Sequence, residues 1–316
     1  MQIDGQESSN IEDRRGDGGF GGGGFGGGMG GFGGGLGGGM GGIPIPLGGG
    51  LFRGGFGLIA FLVIAFVLGG DPSGFLGSIL GGGDDSRPAP SRTARPGPGA
   101  DAETQFVARV LKSTEEVWTA EFKRIGRQYR EPRLVLFRDA TQTSCGLGQA
   151  AMGPFYCPPD QRVYLDLAFF DELASRFHSP GQFPQAYVIA HEVGHHVQNL
   201  LGISERVQQL RGSMSKRDAN ALSVRTELQA DCFAGVWAYH ANKTRGGTVT
   251  LNDGDIDQGL AAATAIGDDR LQRQAQGRVV PDSFTHGTSA QRVRWFRTGL
   301  DSGDINRCDT FKAQTL

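Results

Sequence analysis

Between Gly16 and Gly57 the chain carries 26 glycines in 42 positions. Such a tract has too few side chains to offset the entropy of ordering its backbone, so it cannot bury a core. Folding is thereby confined to the chain beyond it, roughly residues 101–316, which is long enough for one well-buried domain. The glycines keep no Gly-X-Y period, which excludes collagen. Apolar beads at Phe20, Phe25, Met29, Phe32, Leu36 and Met40 leave a self-association tract open, though the composition favours a plain tether. A net charge of −2 with no long basic run argues against nucleic acid as a partner. Four cysteines in 316 residues are too few for a disulfide-dense miniprotein.

Residues 54–70, GGFGLIAFLVIAFVLGG, run 17 positions without a charge. That is the short end of what spans a bilayer, and the low-complexity neighbours offer no folded partner for a core helix. The expectation is one transmembrane helix at 54–70, a disordered Gly-rich segment at 1–53 and a Pro/Gly-rich linker at 71–100. Arg14, Arg15 and Arg53 precede the span. Their bias places the N-terminus in the cytoplasm and the domain at 101–316 on the far side of the membrane. Within that domain Asp101 is a helix N-cap, and Phe106, Val110, Val117, Phe122 and Ile125 recur at helical spacing, predicting a helix over 102–127. Arg133–Phe137 and Arg162–Asp166 read as strands, either of which could pair with an extended peptide. After Asp166 the pattern is helical almost to the end.

The helix over 185–200 contains His191-Glu192-Val193-Gly194-His195. Two histidines four apart lie about 40° apart around a helix axis, one turn above each other. Their imidazoles can therefore meet one metal ion, with Glu192 beside them to act as general base on a metal-bound water. A catalytic zinc keeps three protein ligands and one open position, so a third ligand is needed downstream. The helix over 223–237 offers Glu227 and Asp231, again four apart on one face. Buried carboxylates are costly without partners. Glu227 as third ligand, with Asp231 accepting a hydrogen bond from a ligand histidine, accounts for both. His196 points about 140° away from His191 and is not a ligand. His286 is either an oxyanion donor or a helix-entry residue. His178 and His240 carry no motif and read as surface residues. Cys145 with Cys157, and Cys232 with Cys308, could close disulfides, although four cysteines allow more than one connectivity.

H-E-x-x-H followed by E-x-x-x-D resembles the pattern of the gluzincin metallopeptidases. More closely, the chain resembles the bacterial neutral zinc metallopeptidase family, single-pass membrane proteins with a Gly-rich N-terminus. The matching stretches are 145–170, YVIAHEVGHHVQNLLG at 187–202, LSVRTELQADCFAGVW at 222–237, 265–292 and the terminal CDTF at 308–311. The resemblance implies His191, His195 and Glu227 as ligands of one catalytic Zn2+ and Glu192 as the catalytic residue. It implies a mainly α (α+β) zincin-like domain with a small β element. The resulting expectation is a zinc metalloendopeptidase anchored by one span in a bacterial inner membrane and acting on a peptide or protein substrate. The alternative is a zinc-stabilised, membrane-tethered scaffold with little turnover. A purely structural site would need no glutamate between its ligands.

Overall fold

A computed structural model describes residues 1–17, 101–150 and 153–316 of the chain. The glycine tract from residue 18 on, the apolar run 54–70 and the linker 71–100 lie outside the described residues. The described part is mainly helical. Its strands are β1 (Gln2–Ile3), β2 (Ile11–Asp13), β3 (Arg133–Phe137), β4 (Ala140–Thr143), β5 (Gly146–Gln149), β6 (Phe155–Cys157), β7 (Arg162–Asp166) and β8 (Val249–Thr250). Its helices are α1 (Ala102–Arg124), α2 (Ala168–Ser175), α3 (Gln182–Leu200) and α4 (Ile203–Arg211), followed by α5 (Lys216–Ala241), α6 (Asp253–Ala265), α7 (Asp268–Gln276) and α8 (Ser289–Ser302).

Helix α1 begins where Asp101 accepts the Thr104 N–H at 2.7 Å, satisfying one of the orphan donors of a helix start. Its apolar stripe, Phe106, Val110, Trp118 and Phe122 among others, is buried. The main sheet runs β2-β3-β7-β6, with β2, β3 and β7 parallel and β6 antiparallel to β7. Alternation along β3 and β7 sends Leu134, Leu136, Val163 and Leu165 into the helical core. Val135, Phe137 and Tyr164 face the other way and pack with Cys157 and Phe155. Side chains of successive strand residues leave on opposite faces, so one sheet serves two apolar layers. The β4–β5 hairpin stands beside the sheet, tied to β6 by the Cys145–Cys157 disulfide.

Helices α3 and α5 cross at the centre of the domain. Most of α3 is buried, including Phe183, Tyr187, Ile189, Val193 and Val197. Its crossing point is Gly194, where a Cβ would stand 3.0 Å from the Ala230 carbonyl oxygen of α5. A side chain here would press on the facing backbone, so glycine permits the closer approach. On its far side α5 packs on α8 through facing glycines, Gly235 and Gly299, and the Cys232–Cys308 disulfide fastens the C-terminal segment to the same helix.

Two sequence expectations require correction. Residues 1–17 are not part of a disordered segment. Ile11–Asp13 pairs in parallel with Leu134–Leu136, and Gln2–Ile3 pairs with Val249–Thr250. The N-terminal residues therefore belong to the domain that opens again at Asp101. Arg15 secures this return by bonding Asp13, Asp101 (2.7 Å) and Thr104 (2.9 Å). The expected membrane placement fails on the same contacts. A single crossing between β2 and α1 would put β2 and β3 on opposite sides of a bilayer, yet they share one hydrogen-bonded ladder. Among the described residues no helix is long and apolar enough to cross a membrane.

Candidate metal centre

The close approach at Gly194 decides which side chains meet across the crossing. Tyr187, His191 and His195 recur at i, i+4 and i+8 along α3, so they form one stripe. Glu227 and Asp231 form the matching stripe on α5. Ligand atoms of His191, His195 and Glu227 all lie within 4.8 Å of one another. His191 Nε2 is 3.2 Å from Glu227 Oε2, and His195 Nε2 is 3.6 Å from Glu227 Oε1. Both rings thus turn the same nitrogen toward one carboxylate.

The other nitrogen of each ring is occupied by the protein. His191 Nδ1 meets Asp231 Oδ1 at 2.9 Å. Asp231 is fully buried and also accepts from the Tyr187 hydroxyl at 2.5 Å and from Arg292 Nε and Nη2, each at 2.9 Å. His195 Nδ1 meets Gln198 Oε1 at 2.9 Å. Because an ionised carboxylate and an amide oxygen can only accept, both rings carry hydrogen on Nδ1. Each Nδ1–H is thereby satisfied by the protein, and Nε2, once its own proton is displaced, is the atom left to face an ion.

The electrostatics fit a cation. Burial works against charge on His191, but the Asp231 and Glu227 carboxylates overcome it and hold the ring up at about 10. Burial also penalises the Glu227 carboxylate, yet the two histidines draw it well below the usual range. Asp231 is likewise pulled down against burial, to about 2, by Arg292 and His191. The pocket between the three donors therefore favours net positive charge. Two imidazole nitrogens and a carboxylate form a donor set that suits zinc.

Glu192 is buried beside this cluster and has no hydrogen-bond partner among the described residues. Burial raises its pKa, partly offset by the two histidines. His286 sits on the loop before α8. Its Nδ1 contacts Asp268 Oδ1 at 3.2 Å and Thr285 Oγ1 at 3.0 Å. Asp268 Oδ2 accepts the backbone N–H groups of Thr285, His286 and Gly287, which fixes the loop. The imidazole is close enough to Glu227 for each to influence the other's charge.

The remaining histidines separate from this group. His196 is buried, donating from Nε2 to the Arg130 carbonyl at 2.6 Å and accepting on Nδ1 from the Tyr156 hydroxyl at 3.0 Å. Burial pulls it down to about 4, so it packs as a neutral ring. His240, read as a surface residue, is instead partly buried and donates to the Gly303 carbonyl at 2.8 Å. His178 is exposed, on a backbone with φ 52°. Sequence reasoning passes over Tyr187, Gln198, Arg292 and Asp268. Tyr187 lies four before His191 and Gln198 three after His195, so helical spacing could have flagged both. Arg292 and Asp268 come from distant segments and carry no local signal.

Known chains share much of this sequence. The uncharacterized protein YpfJ of Escherichia coli (strain K12) is 46% identical over 306 residues, covering 97% of this chain and 96% of its own. The uncharacterized protein Rv2575 of Mycobacterium tuberculosis (strain H37Rv) is 45% identical over 225 residues, covering 69% and 75%. No solved structure matches the chain. A family described as "Putative neutral zinc metallopeptidase" matches residues 1–311, N-terminal strands included, and the chain belongs to that family.

Proposed function

We propose that the chain is a zinc-dependent peptidase in which His191, His195 and Glu227 hold the ion and Glu192 is the general base. The observation that carries this reading is the convergence of those three donors beside a buried carboxylate with no other partner among the described residues. When bound, zinc supplies Lewis acidity that polarises a carbonyl and lowers the pKa of a water. Glu192 takes the proton from the attacking water on its carboxylate and passes it to the leaving amine. Its burial strengthens it as a base. His286, whose charged form the Asp268 carboxylate at Nδ1 favours against burial, donates from its Nε2–H to the negative charge that develops on the scissile oxygen. Asp231 and Gln198 orient the two ligand rings.

The strands expected to bind an extended peptide, β3 and β7, are interior to the sheet and have no free edge. The outer strand beside α3 is β6, whose Tyr156 hydroxyl reaches His196 and Asn199 on that helix. This edge is the strand on which an extended peptide would align in our reading.

Replacing Glu192 by Gln preserves the shape and removes the base. Zinc stoichiometry should stay that of the wild type, while cleavage of an unstructured protein substrate falls by about 10²–10⁴-fold. Equal cleavage by both proteins would remove Glu192 from the mechanism. A wild type that binds zinc and cleaves nothing would leave the scaffold reading in its place.

A further inference from the structure

The polar groups behind His195 form a chain with only one possible direction. The Cys308 carbonyl accepts from Gln229 at 2.9 Å. A carbonyl cannot donate, so the near atom of Gln229 is its amide nitrogen and its Oε1 faces the other way. That Oε1 receives Gln198 Nε2 at 3.1 Å. A second backbone carbonyl, Thr226 O at 2.7 Å, independently demands a donor at the same Gln198 atom. Gln198 Oε1 must then face His195, whose Nδ1 lies 2.9 Å away. Gln198, Gln229 and Cys308 are all buried, so water cannot substitute for a missing partner without cost.

The far end of this chain is held firmly. Cys308 is bonded to Cys232 on α5, one turn beyond Gln229. Two residues later Thr310 donates its hydroxyl to the Arg225 carbonyl at 2.6 Å, and the Arg225 guanidinium returns bonds to the carbonyls of Thr310 and Ala313 (3.1 Å to the latter). The C-terminal segment is thus strapped along α5.

We propose that this C-terminal strap positions His195 for the metal, acting through Gln229 and Gln198 to keep hydrogen on Nδ1 and the lone pair on Nε2. Gln229 and Cys308 are positioning residues, since neither touches the ion site. The proposal rests on the reading of His195 as a ligand. It gives the terminal CDTF stretch a part in the site, although it lies about 80 residues beyond the last ligand in sequence.

The test uses full-length protein stripped of metal and titrated with zinc against a chromophoric competitor. Gln198→Met should weaken zinc about 10–100-fold, the usual cost of losing an outer partner. Gln229→Met should also weaken it, by less, with the fold checked by circular dichroism. The double variant should bind no more weakly than Gln198→Met alone, because Gln229 works only through Gln198. Wild-type affinity in Gln229→Met, or losses that multiply in the double variant, would overturn the proposal while leaving the ligand assignment intact. Failure of the wild type to bind zinc would instead remove the ligand assignment, and the proposal with it. Should Gln229→Met not fold, nitrogen-15 NMR of the zinc-loaded wild type decides alone. A protonated His195 Nδ1 is expected, and metal or a bare lone pair at that atom would refute the relay.

Discussion

Asp231 joins a ligand histidine to the rest of the site and is fully buried. It takes hydrogen from Tyr187, His191 and two nitrogens of Arg292 without exposure to solvent. A buried charge pair of this kind adds little against a hydrophobic replacement of both partners, but removing one strands the other. Arg292→Met is therefore expected to destabilise the fold by about 3–5 kcal/mol, measured by urea denaturation. Tyr187→Phe, which removes one of several bonds, should cost only about 1 kcal/mol. If Arg292→Met left stability unchanged, Asp231 would have to be neutral. Asp231 was legible in the sequence because it shares a helical face with Glu227. Arg292 was not, because a residue on α8 acquires its meaning only when α8 packs against α5. Glu227 was legible from the same pairing with Asp231, as a carboxylate on an otherwise apolar helix that needs a partner such as a metal.

At the scale of elements, the crossing of α3 and α5 sets the distance between the two halves of the metal centre. A methyl at Gly194 would press on the Ala230 backbone, which cannot swing aside as a side chain would. Gly194→Ala should push the helices apart by a few tenths of an ångström and lower zinc affinity at least several-fold. Overpacking of this kind typically costs about 1–3 kcal/mol. Metal titration and thermal melting read the two effects separately, and unchanged affinity would show that the helices can part without disturbing Glu227. The long helices were legible because a period of 3.6 repeats many times within them, and the two interior strands because five β-forming residues each stand between turn-rich stretches. Strands β1 and β2 span two and three residues, too few for any period to register. Glu12 and Asp13 give β2 a polar character as well, and the glycine tract beside it suggested that nothing near it folds.

For the whole molecule, the consequence is that residues 101–316 are not the complete domain. Without residues 1–17 the β3 strand loses its parallel neighbour and exposes a row of unpaired backbone groups next to Leu134 and Leu136, a template for association. A protein trimmed to 101–316 should melt lower and aggregate more readily than the full chain, as light scattering during a thermal ramp would record. Equal behaviour would show that β2 is dispensable. The clasp that holds the N-terminal segment also carries a pH signature. Asp101 is drawn to about 2, burial opposing and Thr104 and Arg15 prevailing. A carboxylate lowered in the folded state adds stability above its ordinary value of 3.8, and loses it as pH falls from there through about 2. The protection factors of the β2 amides, with the intrinsic pH dependence of exchange divided out, should therefore fall over that acid range and stay level above it. The carboxylate remains partly exposed, so solvent screening keeps the effect on global stability small.

The ion pair between Arg15 and Asp101 brings the exit and re-entry points of the intervening stretch, residues 18–100, to within one side-chain bond of each other. The entropy of joining two such points grows only with the logarithm of the contour between them, about 0.6 kcal/mol for each doubling. Excising or duplicating part of that stretch should hence leave the melting temperature nearly untouched. Two ends pinned side by side in this way set no length for the chain that joins them.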